Sequence, residues 1–298
     1  MTASILTGAF TALVTPFRDG AVDEAALRQH VDAQVQNGIN GLVPCGTTGE
    51  SATLNYDEHI RVIELTIEAA ASRVPVMAGT GSNSTAETIM LTRQAEKLGA
   101  SAALLITPYY NKPTQQGLYE HYKKVSEEVS IPLLLYNVPG RTGVNMLPET
   151  VARLSELKNI VGVKEATGDL KQVSDVMEFS KKGFILLSGD DFTTLPMLAI
   201  GGHGVISVTS NIVPKEVSAM VRAYSSGSYE EAVKLHYSLQ PLHRAMFLET
   251  NPTPVKTALA MMGRMKEEFR LPLVRMSGAN RDKLFGVLAG YGLAGVGR

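Results

Sequence analysis

The stretch Pro132-Leu133-Leu134-Leu135-Tyr136, followed by a helically spaced segment from Leu147 to Leu157 and then by Ile160-Val161-Gly162-Val163-Lys164, decides the fold. Each run is too short for a helix and is apolar on both faces up to its last residue, which describes a strand covered on both sides. A strand, a helix and a second such strand in close succession form one parallel crossover unit. Working outward from this unit, the same kind of run recurs at Phe10–Val14, Gly41–Pro44, Pro75–Ala78, Ala102–Ile106, Phe184–Leu187 and Val205–Val208. Between them lie amphipathic mixtures such as Asp23–Asn37, Asp57–Ser72 and Thr85–Leu98, with Asp23 and Ser84 suited to helix starts and Gly38 and Gly99 to helix ends.

Eight strand and helix units favour a closed (β/α)8 barrel, an α/β fold, over an open doubly wound sheet. The first turn agrees, because Thr15-Pro16-Phe17-Arg18-Asp19-Gly20 lacks the glycine fingerprint of a nucleotide-binding sheet. Beyond residue 226 the strand pattern stops, and Tyr229–Leu248, Pro254–Met265 and Asn280–Leu288 read as helices. The organisation expected is a catalytic barrel over residues 1–226 and a helical region over 227–298 packed against it without a flexible linker. With 298 residues, 44% hydrophobic content and a formal net charge of −1, the chain has material for a large core and no global attraction for nucleic acid or anionic lipid. Cys45 is the only cysteine, which excludes an intrachain disulfide and suits a reducing cytoplasm. The segment Met1 to Phe10 has no export-signal character, and no apolar run reaches membrane-spanning length.

Barrel enzymes place their chemistry at the C-terminal ends of the strands. The residues there are Thr15, Gly46-Thr47-Thr48-Gly49-Glu50, Gly79-Thr80-Gly81, Thr107-Pro108-Tyr109-Tyr110, Tyr136-Asn137, Lys164-Glu165, Ser188-Gly189-Asp190-Asp191 and Ser207 to Ser210, with Lys164 the one lysine among them. At the rim of a packed interior, desolvation disfavours an ammonium, and a neutral amine attacks a carbonyl to give an imine that acts as an electron sink. The competing assignment is a lysine paired with Glu165 or extended to solvent. Tyr136, one parallel strand away, is either a proton carrier for Lys164 or a core ring with its hydroxyl in water. Thr47, Thr48 and the flanking glycines suit a carboxylate, as does the guanidinium of Arg141. The six histidines are scattered, so no metal is expected; His203 reads as structural and the pair Asp190-Asp191 as charges at a helix start.

The ordered set of motifs resembles the 4-hydroxy-tetrahydrodipicolinate synthases, formerly dihydrodipicolinate synthases, among the pyruvate-dependent class I aldolases. It comprises Gly46-Thr47-Thr48-Gly49-Glu50-Ser51, Thr107-Pro108-Tyr109-Tyr110-Asn111, Tyr136-Asn137-Val138-Pro139 with Arg141-Thr142-Gly143, Lys164-Glu165-Ala166-Thr167-Gly168, Leu187-Ser188-Gly189-Asp190-Asp191 and Gly201-Gly202-His203-Gly204-Val205-Ile206-Ser207. The resemblance implies that Lys164 condenses with pyruvate and that the enamine attacks L-aspartate 4-semialdehyde, on the route to diaminopimelate and lysine, with no cofactor. It further implies that Tyr136 moves protons in a relay with Thr47 and with Tyr110 of a neighbouring subunit, in a homotetramer of two tight dimers. Thr48, Gly189 and Ile206 would hold the pyruvate carboxylate, and Arg141 the carboxylate of the semialdehyde. Members inhibited by L-lysine bind it at positions matching Ser51, Ala52, His59, Asn83, Glu87 and Tyr109, while Tyr56 stands where some of them have histidine. N-acetylneuraminate lyases and 2-keto-3-deoxy sugar-acid aldolases share the lysine and tyrosine, and a catalytically silent metabolite-binding barrel is the alternative of another class.

Overall fold

The computed structural model describes residues 5–294; the outermost residues of the two expected segments, 1–4 and 295–298, lie outside the described residues. Each of the eight apolar runs forms a strand: β1 (Gly8–Ala12), β2 (Gly41–Val43), β3 (Met77–Gly79), β4 (Ala102–Ile106), β5 (Leu133–Asn137), β6 (Ile160–Glu165), β7 (Ile185–Ser188) and β8 (Gly204–Ser207). The pairings among these eight are all parallel, in the order β2-β1-β8-β7-β6-β5-β4-β3, and a separate antiparallel pair joins Phe17–Arg18 to Ala21–Val22. The ring closes between β2 and β3 through a single bridge, Leu42 with Val76. Two backbone bonds support it, from Leu42 N–H to the Pro75 carbonyl at 3.0 Å and from Gly79 N–H to the Pro44 carbonyl at 2.9 Å. This seam is thin because prolines 44 and 75 have no N–H to add to the ladder.

Strand ends differ from the apolar runs by one or two residues. Pro75 and Pro132 stay outside the ladder for the same lack of a donor, and β1 starts at Gly8 while Val14 N–H turns instead to the Asn211 side chain at 3.3 Å. Lys164 and Glu165 lie within β6 rather than beyond it. Helices follow the strands, and three show why they start where they do. Glu24–Gln36 is capped by Asp23, which accepts from Ala26 N–H at 3.1 Å. Tyr56–Ala70 starts one residue before the expected Asp57, because Asn55 and Glu58 form a reciprocal capping box. Thr85–Leu98 is capped by Ser84 and closed by Gly99 at φ +90°, the left-handed conformation a side chain resists.

Alternation along the strands sorts side chains into two layers. Phe10, Ala12, Val43, Met77, Leu104, Leu134, Tyr136, Ile185, Leu187 and Ile206 fill the barrel interior. Gly41 is glycine for a packing reason, since a Cβ there would come within 2.1 Å of the Phe10 ring. The outward residues of β1 to β3 pack under the helices in a core that also takes in Leu239, Leu242, Val255, Leu259, Leu284 and Leu288 from the C-terminal helices Tyr229–Ala245, Thr253–Met261 and Gly278–Gly290. Two of these end before the sequence pattern does, at Ala245 rather than Leu248 and at Met261 rather than Met265. Among the described residues no helix is long and apolar enough to cross a membrane.

Candidate active site

Direct pairing of Tyr136 with Lys164 across β5 and β6 sends both side chains inward. The Lys164 amine lies 4.1 Å from the centroid of the Tyr136 ring, and both residues are buried. Burial pulls the Lys164 ammonium down to about 7; the Asp191 carboxylate opposes this and the Arg141 guanidinium adds to it. Burial pushes the Tyr136 phenol up to about 12, against the charge of Arg141 and a hydrogen bond with Thr47. Glu165, next along the strand, faces the outer layer instead, where it accepts from Asn137 Nδ2 at 3.1 Å and from Thr167 N–H at 2.9 Å. It is therefore engaged away from Lys164. Gly189, at the end of β7, makes room for the lysine stem: a Cβ there would lie 2.9 Å from Lys164 Cε and 2.7 Å from Ala166 Cβ.

A cavity of about 180 Å³ opens above the amine, lined by Thr47, Thr48, Tyr136, Arg141, Lys164 and Gly189 among others. It brings together six of the eight catalytic and substrate-binding positions named from sequence. Ile206 is buried in the barrel interior beneath, paired with Phe10. Tyr110 stands apart, 89% exposed and at a φ of +71°. Its phenol is not in contact with Tyr136 within this chain.

Four further residues shape the site in roles the sequence did not announce. Asn251, in the loop before Thr253–Met261, lines the cavity; its Nδ2 donates to Thr48 Oγ1 at 3.0 Å, and its backbone carbonyl accepts from Arg141 Nη2 at 3.4 Å. The pair Asp190-Asp191 opens a helical turn as expected, Asp190 accepting from Phe192 N–H at 3.2 Å, and the Asp191 carboxylate in addition accepts from Ser207 Oγ, from Val208 N–H at 3.0 Å and from Thr209 N–H at 3.1 Å, locking the end of β8. Glu50, just past the two threonines, forms an ion pair with Lys256 in which both side chains are fully buried. Lys256 also lies 4.2 Å from the Phe17 ring centroid. His203 is structural as read, its Nδ1 accepting from Leu186 N–H at 3.2 Å. Among the described residues no group of three or more His, Cys, Asp or Glu is positioned to hold a metal ion.

A larger cleft of about 360 Å³ adjoins the first, sharing Thr47, Tyr136 and Arg141 with it. Its wall includes Ser51, Ala52, Tyr56, His59, Glu87 and Tyr109. His59 Nε2–H donates to the Gly79 carbonyl at 2.8 Å, and burial holds its imidazolium below the usual range. Ser82 Oγ donates to Glu87 at 2.6 Å. Glu87 is also the first cause that raises the Tyr56 phenol. Asn83 is not in the wall; its Nδ2 donates to the Tyr109 carbonyl at 3.2 Å, bracing that loop.

Residues 5–289 match the model of the dihydrodipicolinate synthetase family. The chain belongs to that family. It is 59% identical over 286 residues to the 4-hydroxy-tetrahydrodipicolinate synthase of Thermodesulfovibrio yellowstonii, covering 96% of this chain and 98% of that one. The crystal structure of dihydrodipicolinate synthase from Aquifex aeolicus superposes with a TM-score of 0.96 at 47% identity, over 98% of this chain and all of that one. The synthase of Cyanidioschyzon merolae, solved with lysine bound, gives a TM-score of 0.94 at 38% identity over 97% of this chain and 99% of that one. The (β/α)8 barrel expected from the strand pattern is thus the fold of the family as well as of the chain.

Proposed function

We propose that the chain condenses pyruvate with L-aspartate 4-semialdehyde to give 4-hydroxy-2,3,4,5-tetrahydrodipicolinate through a Schiff base on Lys164. The observation that carries the mechanism is the buried amine held against Tyr136, close enough to neutrality to act as a nucleophile. The amine adds to C2 of pyruvate to give a carbinolamine; Tyr136, in hydrogen-bond contact with Thr47, protonates the leaving hydroxyl, and water departs to leave the iminium. Loss of a C3 proton gives the enamine, which attacks the aldehyde carbon and forms the new C–C bond. The amino group of the second substrate then attacks C2, closes the ring and releases Lys164. Thr48, the Gly189 backbone and the end of β8 at Ile206 receive the pyruvate carboxylate, and Arg141 the carboxylate of the semialdehyde. Family membership favours this reaction over sugar-acid cleavage on the same scaffold.

The helical region from residue 227 onward completes this site through Asn251 and Lys256. Tyr110, exposed on one chain, reaches the relay of a second subunit in a homotetramer working in the cytoplasm. L-Lysine enters the larger cleft as an inhibitor, its amino groups taken by Glu87 and the Asn83 loop; the lysine-bound relative supports this reading. A coupled assay tests the reaction: purified protein, both substrates and the downstream reductase, with NADPH loss followed. Turnover that Lys164→Ala abolishes is expected, and turnover that survives the substitution refutes the mechanism. Lysine is expected to slow wild type but not Glu87→Ala; a wild type indifferent to lysine refutes the regulatory part.

A further inference from the structure

We propose that Asn251 is a positioning residue that fixes the Thr48 hydroxyl in the orientation needed for the pyruvate carboxylate and holds it in register with Arg141. The proposal rests on the reading of Thr48 as the carboxylate-binding group. A threonine hydroxyl has one proton to give. To spend that proton on a carboxylate, Thr48 must accept its other hydrogen bond, and Asn251 Nδ2–H supplies that bond at 3.0 Å. The reverse amide orientation would consume the Thr48 proton and leave the cavity without it. The other amide atom, Asn251 Oδ1, is buried without a hydrogen-bond partner.

The backbone of the same residue performs the second half of the task. Its carbonyl accepts from Arg141 Nη2 at 3.4 Å, so one residue touches the groups assigned to the two substrates' carboxylates. Asn251 is itself buried, and five residues later Lys256 anchors the segment to Glu50, two residues beyond Thr48. The two-substrate spacing is thereby set from the C-terminal segment rather than by the barrel alone.

Because the side chain acts on Thr48 and the backbone on Arg141, substitution of the side chain separates the two effects. The experiment measures pyruvate half-saturation of cyanoborohydride trapping on Lys164 and the KM of each substrate for wild type, Asn251→Ala and Asn251→Asp, with melting temperatures alongside. Asn251→Ala is expected to raise pyruvate half-saturation on the order of ten- to a hundredfold, the size of a hydrogen bond to a charged group, with the semialdehyde KM little changed. Asn251→Asp, though nearly isosteric, is expected to be worse than alanine, because its carboxylate takes the Thr48 proton and repels the pyruvate carboxylate. A packing role predicts the opposite order. If aspartate is tolerated better than alanine, or if both KM values move together with the melting temperature, the proposal is overturned. Variants that keep wild-type half-saturation while wild type itself traps pyruvate overturn this proposal alone. A wild type that pyruvate and cyanoborohydride leave unmodified overturns the Schiff-base reading and this proposal with it.

Discussion

Changing the pH is expected to switch imine formation on Lys164 across neutrality, and the structure supplies the size of the effect. An amine at the ordinary lysine value of 10.5 would be neutral in roughly one molecule in 3,000 at pH 7. Held at about 7 by burial, half of the Lys164 side chains are neutral there, a gain on the order of a thousandfold in nucleophile. At low pyruvate the initial trapping rate should climb about tenfold per pH unit while the ammonium dominates and level off above about pH 7. Arg141 is one of the causes that lower the amine, so Arg141→Met should move the inflection to higher pH. Initial rates of cyanoborohydride trapping, read by intact mass across the pH range, measure both. A profile still rising tenfold per unit near pH 9, or an inflection moved downward in Arg141→Met, would show that desolvation and the guanidinium do not set this amine.

Gly189→Ala puts a methyl group 2.9 Å from Lys164 Cε and is expected to lower kcat about a hundredfold by displacing the amine, with the circular dichroism spectrum kept. Lys164→Met should stabilise the fold by at most about 4 kcal/mol at pH 7. The sign follows from the lowered value: between about 7 and 10.5 the unfolded chain binds a proton that the folded chain refuses, so wild-type stability rises with pH and the gain from methionine fades. Urea unfolding at several pH values reads this, and a gain independent of pH counts against it. Glu50→Gln strands the buried Lys256 charge at a cost of about 3–5 kcal/mol, whereas Glu50→Gln combined with Lys256→Met should recover most of it in the same unfolding assay.

The barrel was legible because its strands are apolar on both faces, and the Lys164 and Tyr136 pair because parallel register brings strand ends of neighbouring runs side by side. Helix starts at Asp23 and Ser84 followed from their side-chain oxygens. What escaped reading depends on contacts remote along the chain. Thr250-Asn251-Pro252 has the composition of an ordinary turn, and nothing local announces that Asn251 reaches Thr48. Glu50 and Lys256 are common surface residues until folding buries them against each other. Asp191 looked like a charge at a helix start, yet its partners are the hydroxyls and amides at the end of the following strand, available only once β7 and β8 are paired. Tyr110, named through the family resemblance, is 89% exposed on the single chain.

The hydrogen bond between Asn251 and Thr48 joins residues 203 positions apart, and the ion pair between Lys256 and Glu50 spans 206. Chains fold from the N-terminus as they are synthesised, so a growing polypeptide acquires every barrel strand before either clasp can form. Until residue 256 emerges, Glu50 lacks the cation it pairs with in the interior, while the loop bearing Thr47 and Thr48 already has bonds from Gly49 N–H to the Gly46 carbonyl and from Thr15 Oγ1 to the Gly49 carbonyl. Residues that follow every barrel strand in the sequence therefore supply the last wall of the pocket around Lys164.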